Sequence, residues 1–311
     1  MILLSFVIPC YRSENTIEKV VDEIIKTVSE RPEYDYEIIA VNDCSPDNVY
    51  TVLKSLAKSN KRIRVVSLAR NMGKHSAVMA GYSCAKGDYI VNLDDDYQSP
   101  AYELWKLMEP LQNDECDVAT AVYYQKKEKR FKRFGSDVNL WMTNVLLDKP
   151  KNIRMENFSV MRRFVCDEIL KYKNPYPYLE GLIFRVTKNV KAISMEQRDR
   201  ADENLSGFTL KKSLSLFING LTAFSVKPLR ISSLIGILFA LFGFLFGLFI
   251  IIKKILNPAI AIGYSSIMAI ILFSSGLTML LLGLIGEYLG RIYICINESP
   301  QYVIKETINV E

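Results

Sequence analysis

Short apolar runs alternate with amphipathic stretches through the first part of the chain. Runs of strand length occur at Ser5–Ile8, Glu37–Val41, Arg64–Leu68, Tyr89–Leu93 and Asp117–Ala121. Between them, apolar positions recur at helical spacing over Asn15–Ser29, Asp47–Ser59, Ser76–Ala85 and Pro100–Leu111. This alternation predicts an α/β fold with a Rossmann-like, mostly parallel, doubly wound sheet. Ligands in such sheets sit beyond the carboxyl ends of the strands. The opening Met1–Pro9 is too short for a signal peptide and reads as the first strand.

The pattern then changes. Segments near 134–147 and 210–224 carry apolar stripes with basic approaches, Lys126–Arg133 and Lys211-Lys212, and are expected as amphipathic helices at a membrane interface. Two later stretches, Ile231–Ile252 and Ile255–Gly286, contain no charged residue. Each exceeds the roughly 20 residues that cross a bilayer as a helix. Gly236, Gly243 and Gly247 suit close helix packing in lipid. The expected organisation is an α/β domain over 1–228 and a transmembrane hairpin over 229–290, with spans near 231–253 and 262–286. A tail over 291–311 follows, its last dozen residues loose.

Composition changes this picture little. Of 311 residues half are apolar, and the formal charge is only +5. The basic positions at Lys126–Arg133, Lys227, Arg230 and Arg291 flank the apolar segments, which fits an anionic leaflet and not a nucleic acid. Cysteines 10, 44, 84, 116, 166 and 295 form no CxxC pair and suggest reduced thiols in a cytosolic domain.

The chemistry lies at the strand ends. Tyr89-Ile90-Val91-Asn92-Leu93 closes on Asp94-Asp95-Asp96. Three acids ending a buried strand need a positive partner. A Mg²⁺ or Mn²⁺ ion supplies one and brings phosphate oxygens with it. Pro9-Cys10-Tyr11 and Asn42-Asp43 end two other strands. In Val41–Asp47, Asp43 is placed to accept from a base N–H, and Asp47 to cap the next helix.

This order of elements and motifs resembles family 2 glycosyltransferases of the GT-A fold. The resemblance implies that Asp43 contacts the nucleotide base, that Asp94 and Asp96 serve the metal and the sugar diphosphate, and that Asp95 is the variable middle residue. The family usually has Gly where Cys44 stands. Leu68–Ala77, Gln98, Pro100, Phe224–Arg230 and Gly286–Arg291 are similar to the polyprenyl-phosphate branch of that family. That branch implies a nucleotide-sugar donor bound through Pro9, Tyr11, Asp43, Arg70, Lys74, Asp94, Asp95 and Gln98. It implies undecaprenyl phosphate as acceptor, membrane lipid as surroundings and a tetramer among relatives. It places the catalytic domain on the cytosolic side of the inner membrane, although Lys253 and Lys254 in the outer connection oppose the positive-inside preference.

The branch carries an Asp near the reacting centre where this chain has Asn157, after Glu156. Glu156 and Asn157 are expected to orient the sugar or the metal, or to be purely structural. Asp96 and Arg200 complete the catalytic set. Arg198, Arg200, Lys211, Lys212 and Arg230 are candidate clamps for the lipid phosphate. His75, the one histidine, reads as a polar loop residue near the donor. Two other readings stand beside this one. One is a processive polysaccharide synthase, whose Gln-x-x-Arg-Trp pattern is half matched at Gln197–Ala201. The other is an inactive membrane scaffold on the same fold. Neither the sugar nor the choice of UDP over GDP is legible.

Overall fold

The computed structural model describes residues 1–123, 155–196, 198, 227–256, 263–297 and 299–310. Its elements in chain order are β1 (Ile2–Cys10), α1 (Ile17–Ser29), β2 (Tyr34–Asn42), α2 (Val49–Ser59), β3 (Ile63–Leu68), α3 (Lys74–Cys84), β4 (Tyr89–Asn92), α4 (Leu104–Gln112), β5 (Val118–Tyr123), β6 (Ser159–Arg162), α5 (Arg163–Leu170), α6 (Leu179–Val186), β7 (Val190–Met195), α7 (Lys227–Leu256), α8 (Tyr264–Ile296) and β8 (Ile304–Ile308). The eight strands form one sheet in the order β7-β5-β6-β4-β1-β2-β3-β8. β1 pairs in parallel with both β2 and β4, so the strand order reverses there. That reversal opens a crevice at the carboxyl ends of β1, β2 and β4.

Alternation along the strands explains the two helical layers. Leu4, Phe6, Ile8 and Cys10 of β1 share a core with Ile17, Val20, Val21 and Ile24 of α1 and with Leu104, Leu107 and Leu111 of α4. Val7 points to the other face, where α3 crosses. There Gly81 lets the helix sit against the sheet: a Cβ would lie 2.4 Å from Val7 Cγ1 and 3.1 Å from Val41 Cγ2. A buried polar network fastens the opposite ends of these strands. Glu37 accepts from Ser5 Oγ at 2.5 Å and from Lys86 N at 2.6 Å, and pairs with Arg64 at 2.7 Å. A buried carboxylate held this way satisfies its desolvation locally.

Three expectations are corrected. β6 and β7 were not foreseen, and β6 runs antiparallel between β4 and β5, so the sheet is mixed at that side. The last dozen residues are not a loose tail: β8 pairs antiparallel with β3. Asn309, at φ +58°, donates from Nδ2 to Ala57 O at 2.8 Å and Ile63 O at 2.9 Å, which fastens the strand's end. The amphipathic segments 134–147 and 210–224 lie outside the described residues.

α7 and α8 form a second compact unit. Within them, Ser232–Phe249 and Phe273–Ile296 have mean hydropathies of 2.3 and 1.6, and none of either window is buried. Both are long and apolar enough to cross a membrane. The second window extends past the expected end at 286 and includes Glu287 and Arg291. Phe239 and Phe273 pack ring to ring at 5.2 Å between the two helices.

Gly81→Ala should force α3 off the sheet, because the nearest atoms belong to β-branched Val7 and Val41. Overpacking of this kind costs about 1–3 kcal/mol. A lowered thermal midpoint of the purified protein checks it, and an unchanged midpoint would show that the layer yields freely.

Candidate active site

The crevice gathers the loops that follow β1, β2, β3 and β4. Their geometry is set largely by carboxylates accepting backbone amides. Asn42 Oδ1 accepts Ser45 N at 3.0 Å and closes the turn after β2. Cys44 lies in that turn at φ +50°. A left-handed residue there explains why a family usually has glycine at this place. Ser45 Oγ accepts Arg12 N at 2.8 Å and donates to Asp47 Oδ1 at 2.6 Å. Asp47 also accepts Glu14 N at 3.0 Å, and Asn48 N donates to Glu14 at 2.8 Å. The turns after β1 and β2 are thus locked together. Asp47 additionally reaches Val49 N at 3.4 Å, at the start of α2.

Asp43 is buried and accepts Met72 N at 2.7 Å and Gly73 N at 2.9 Å. Burial pushes its carboxyl up, and those two amides pull it back. Gly73 sits at φ +83° and ψ 156°, a region effectively closed to other residues, and starts α3. Asp43 therefore shapes the Arg70–Gly73 loop, whatever else it contacts. Arg70 is exposed, with Nε 3.1 Å from Met72 Sδ. Tyr11 is 42% exposed beside the crevice, with Arg12 over its ring.

The acid triplet divides into three environments. Asp94 accepts the Lys74 ammonium on Oδ1 and Asn157 Nδ2 at 2.7 Å on Oδ2. Asp95 turns inward, accepting Tyr11 N at 2.8 Å, while its carbonyl accepts Thr16 Oγ1 at 2.6 Å. Burial raises its carboxyl to about 6, opposed by hydrogen bonds from Ser13 and Tyr11 and reinforced by its two acidic neighbours. The middle acid is thus a tie between β4 and β1. Asp96 accepts Gln98 N at 3.1 Å across a turn whose Tyr97 sits at φ +61°.

Asn157 is brought to the triplet by the start of β6. The backbone of Glu156 is pinned to Thr120 of β5, with N to Oγ1 at 3.0 Å. An aspartate at 157 could not donate to Asp94; the amide does. Arg198, expected at a lipid phosphate, is committed elsewhere. It pairs with Glu23 at 2.8 Å, stacks on Tyr97 and Tyr102, and donates its backbone N to Gln98 O at 3.2 Å. It braces the turn after the triplet. Arg200, Lys211 and Lys212 lie outside the described residues, and Arg230 falls in α7.

Behind Asp94 lies a cavity of about 110 Å³, lined among others by Pro9, His75, Tyr82, Asn92, Tyr178 and Glu180. Tyr178 donates to Glu180 at 2.6 Å and its ring meets His75 edge-on at 5.7 Å. Burial, then the Lys74 charge, lowers His75 to about 4, so the imidazole is neutral at pH 7. Of these residues Tyr82, Asn92, Tyr178 and Glu180 escaped the sequence reading: they lie on three elements whose meeting no linear motif records.

Among the described residues no group of three or more His, Cys, Asp or Glu side chains could hold a metal alone. Asp94 and Asp96 nevertheless fit a hard divalent cation that takes one or two carboxylates and completes its shell with ligand oxygens. The ammonium on Asp94 shows that the position accepts positive charge.

Residues 5–170 match the glycosyl transferase family 2 model, and 227–292 match the GtrB C-terminal hairpin. The chain is 32% identical over 311 residues to the uncharacterized glycosyltransferase YkcC of Bacillus subtilis, covering 99% of this chain and 94% of that one. It is 29% identical to the undecaprenyl-phosphate 4-deoxy-4-formamido-L-arabinose transferase of Proteus mirabilis, covering 99% and 94%. It is also 29% identical to the SfII prophage-derived bactoprenol glucosyl transferase of Shigella flexneri, covering 98% of each. Among solved structures, a Mycobacterium tuberculosis glucosyl-3-phosphoglycerate synthase, determined with Mn²⁺, UDP-glucose and phosphoglyceric acid, aligns with a TM-score of 0.54. It is 18% identical over 72% of this chain and 78% of that one. That likeness establishes the GT-A fold.

A neutral buried histidine gives a pH signature. Its folded pKa, about 4, lies below the unfolded value of about 6.5. The unfolded chain binds more protons between those values, so stability is lost as pH falls through that window. The full difference is on the order of 2–3 kcal/mol. The stability difference between wild type and His75→Gln, followed by denaturation from pH 7 to 4, should shrink accordingly. A constant difference would mean that the imidazole titrates freely.

Proposed function

This chain belongs to glycosyl transferase family 2, and on that premise we propose that it is an inverting enzyme that moves one sugar from a nucleotide-sugar donor to undecaprenyl phosphate. The observation that carries the proposal is Asp94, held on one side by Lys74 and on the other by Asn157 at the end of a strand beside β1. The names of two relatives, which act on undecaprenyl phosphate and bactoprenol, support the acceptor. The apolar helices α7 and α8 support an enzyme anchored where that lipid lives, in the cytoplasmic membrane with the α/β domain on the cytosolic side. A UDP-sugar is the donor that suits a bacterial undecaprenyl acceptor, and the product serves cell-envelope glycan or lipid modification.

In this mechanism Asp94 and Asp96 would hold Mg²⁺ or Mn²⁺. That ion supplies the charge that stabilises the departing nucleoside diphosphate. Asp43, through the Arg70–Gly73 loop, shapes the nucleotide end of the crevice. Lys74 adds a cation beside the diphosphate. Asn157 keeps the Asp94 carboxylate aimed. An oxygen of the lipid phosphate attacks the anomeric carbon, the bond from that carbon to the diphosphate oxygen breaks, and configuration inverts. A phosphate monoester has a second pKa of about 6, so this nucleophile is already ionised at neutral pH. No carboxylate is then required as general base, which accommodates Asn157. Positioning and charge carry the rate. Arg200, Lys211, Lys212 and Arg230 are the cations proposed to align the lipid phosphate.

Asp96→Asn should lower divalent-dependent transfer by about three orders of magnitude, the scale of losing a central electrostatic contact. Purified protein, undecaprenyl phosphate and a panel of UDP-sugars, with lipid-linked sugar read by mass spectrometry, test it. Full activity of the variant would refute the assignment of this carboxylate.

A further inference from the structure

The cavity behind Asp94 contains an imbalance. Three of its lining side chains present buried polar atoms that find no hydrogen-bond partner among the described residues: His75 Nδ1, Tyr82 Oη and Asn92 Oδ1. They come from different elements, His75 and Tyr82 from the two ends of α3 and Asn92 from β4. Tyr82 is fully buried. The amide of Asn92 lies beside the Tyr82 hydroxyl, yet neither completes a bond. Asn92 instead spends its Nδ2 on Ser159 Oγ at 3.2 Å, leaving its oxygen turned to the cavity. Native proteins rarely leave such groups unmatched, and several in one chamber call for an occupant.

Resting on the transferase reading above, we infer that this chamber is the subsite that reads one uncharged polar substituent of the transferred sugar, with His75, Tyr82 and Asn92 as its specificity-determining residues. The chemistry is complementary. A sugar hydroxyl both donates and accepts: it can donate to Asn92 Oδ1 and accept from Tyr82 Oη. The volume, about 110 Å³, exceeds the roughly 30 Å³ share of one water. It admits a hydroxymethyl or acylamino arm, while the pyranose ring stays beside Asp94. Apolar Val78, Leu93 and Ile183 line the remainder and suit the carbon face of such an arm. The charged lining, Asp94, Glu156 and Glu180 against Lys74, repels a carboxylate, so uronic acids are excluded.

The test uses the full chain in lipid nanodiscs with undecaprenyl phosphate and a divalent cation. Tyr82→Phe removes only an atom that has no partner, and His75→Phe keeps the ring against Tyr178 while deleting Nδ1; either alone carries the test if the other misfolds. For the donor that wild type uses best, kcat/KM should fall roughly tenfold in each variant. The Kd for UDP alone, by calorimetry, should stay within about twofold, since UDP lacks the group being read. Among singly deoxygenated donors, one should lose about tenfold with wild type and no more with Tyr82→Phe. UDP-glucuronate should be a poor donor. Wild-type kcat/KM in both variants, a parallel loss of UDP affinity, or no deoxygenated donor showing this coupling overturns the inference while leaving the transferase reading intact. Failure of wild type to bind UDP overturns both.

Discussion

Like charges crowded at the end of one strand repel, and the crevice is organised around that problem. Asp94, Asp95 and Asp96 occupy consecutive positions after β4, and each is resolved differently. Asp95 turns inward onto the amide of Tyr11 and becomes mechanical. Asp96 folds onto the turn at Gln98. Asp94 remains at the mouth, matched by an ammonium and an amide. The one acid presented to a ligand is therefore the one whose neighbours supply positive charge. A diphosphate with its cation enters a site already balanced for it.

The same device recurs around the crevice. Asp43 holds the Arg70–Gly73 loop by two amides, Asp47 joins the turns after β1 and β2, and Arg198 with Glu23 braces the turn after the triplet. Carboxylates here act first as fasteners of backbone. This preorganisation means that the donor site needs little rearrangement on binding, which is where electrostatic catalysis gains most. It also gives Asn157 a positive account: an amide can donate to Asp94, and an ionised phosphate acceptor makes a carboxylate at that place dispensable.

Much of this was legible from residues alone. The first five strands, the four helices between them, the acid triplet and the apolar hairpin all follow from period, length and charge. Short elements escaped. β6 has four residues and runs antiparallel. β7 exposes alternate positions without a clean apolar face. β8, Ile-Lys-Glu-Thr-Ile, reads as a polar tail because an edge strand can expose charged side chains on both faces. Long-range pairings escaped as well. Glu23 and Arg198 lie 175 positions apart, and Arg198 read alone resembled a free phosphate clamp. Cys44 looked like a departure from pattern, yet its left-handed backbone shows that the turn keeps the conformation glycine would adopt.

The central claim is that carboxylates at the end of β4 join a divalent cation to a sugar-nucleotide diphosphate. Titration calorimetry of a UDP-sugar into the purified protein, with and without Mn²⁺ or Mg²⁺, tests it most directly. The account predicts binding strengthened at least tenfold by the cation, with the gain removed in Asp94→Asn. Equal affinity with and without either cation would contradict it.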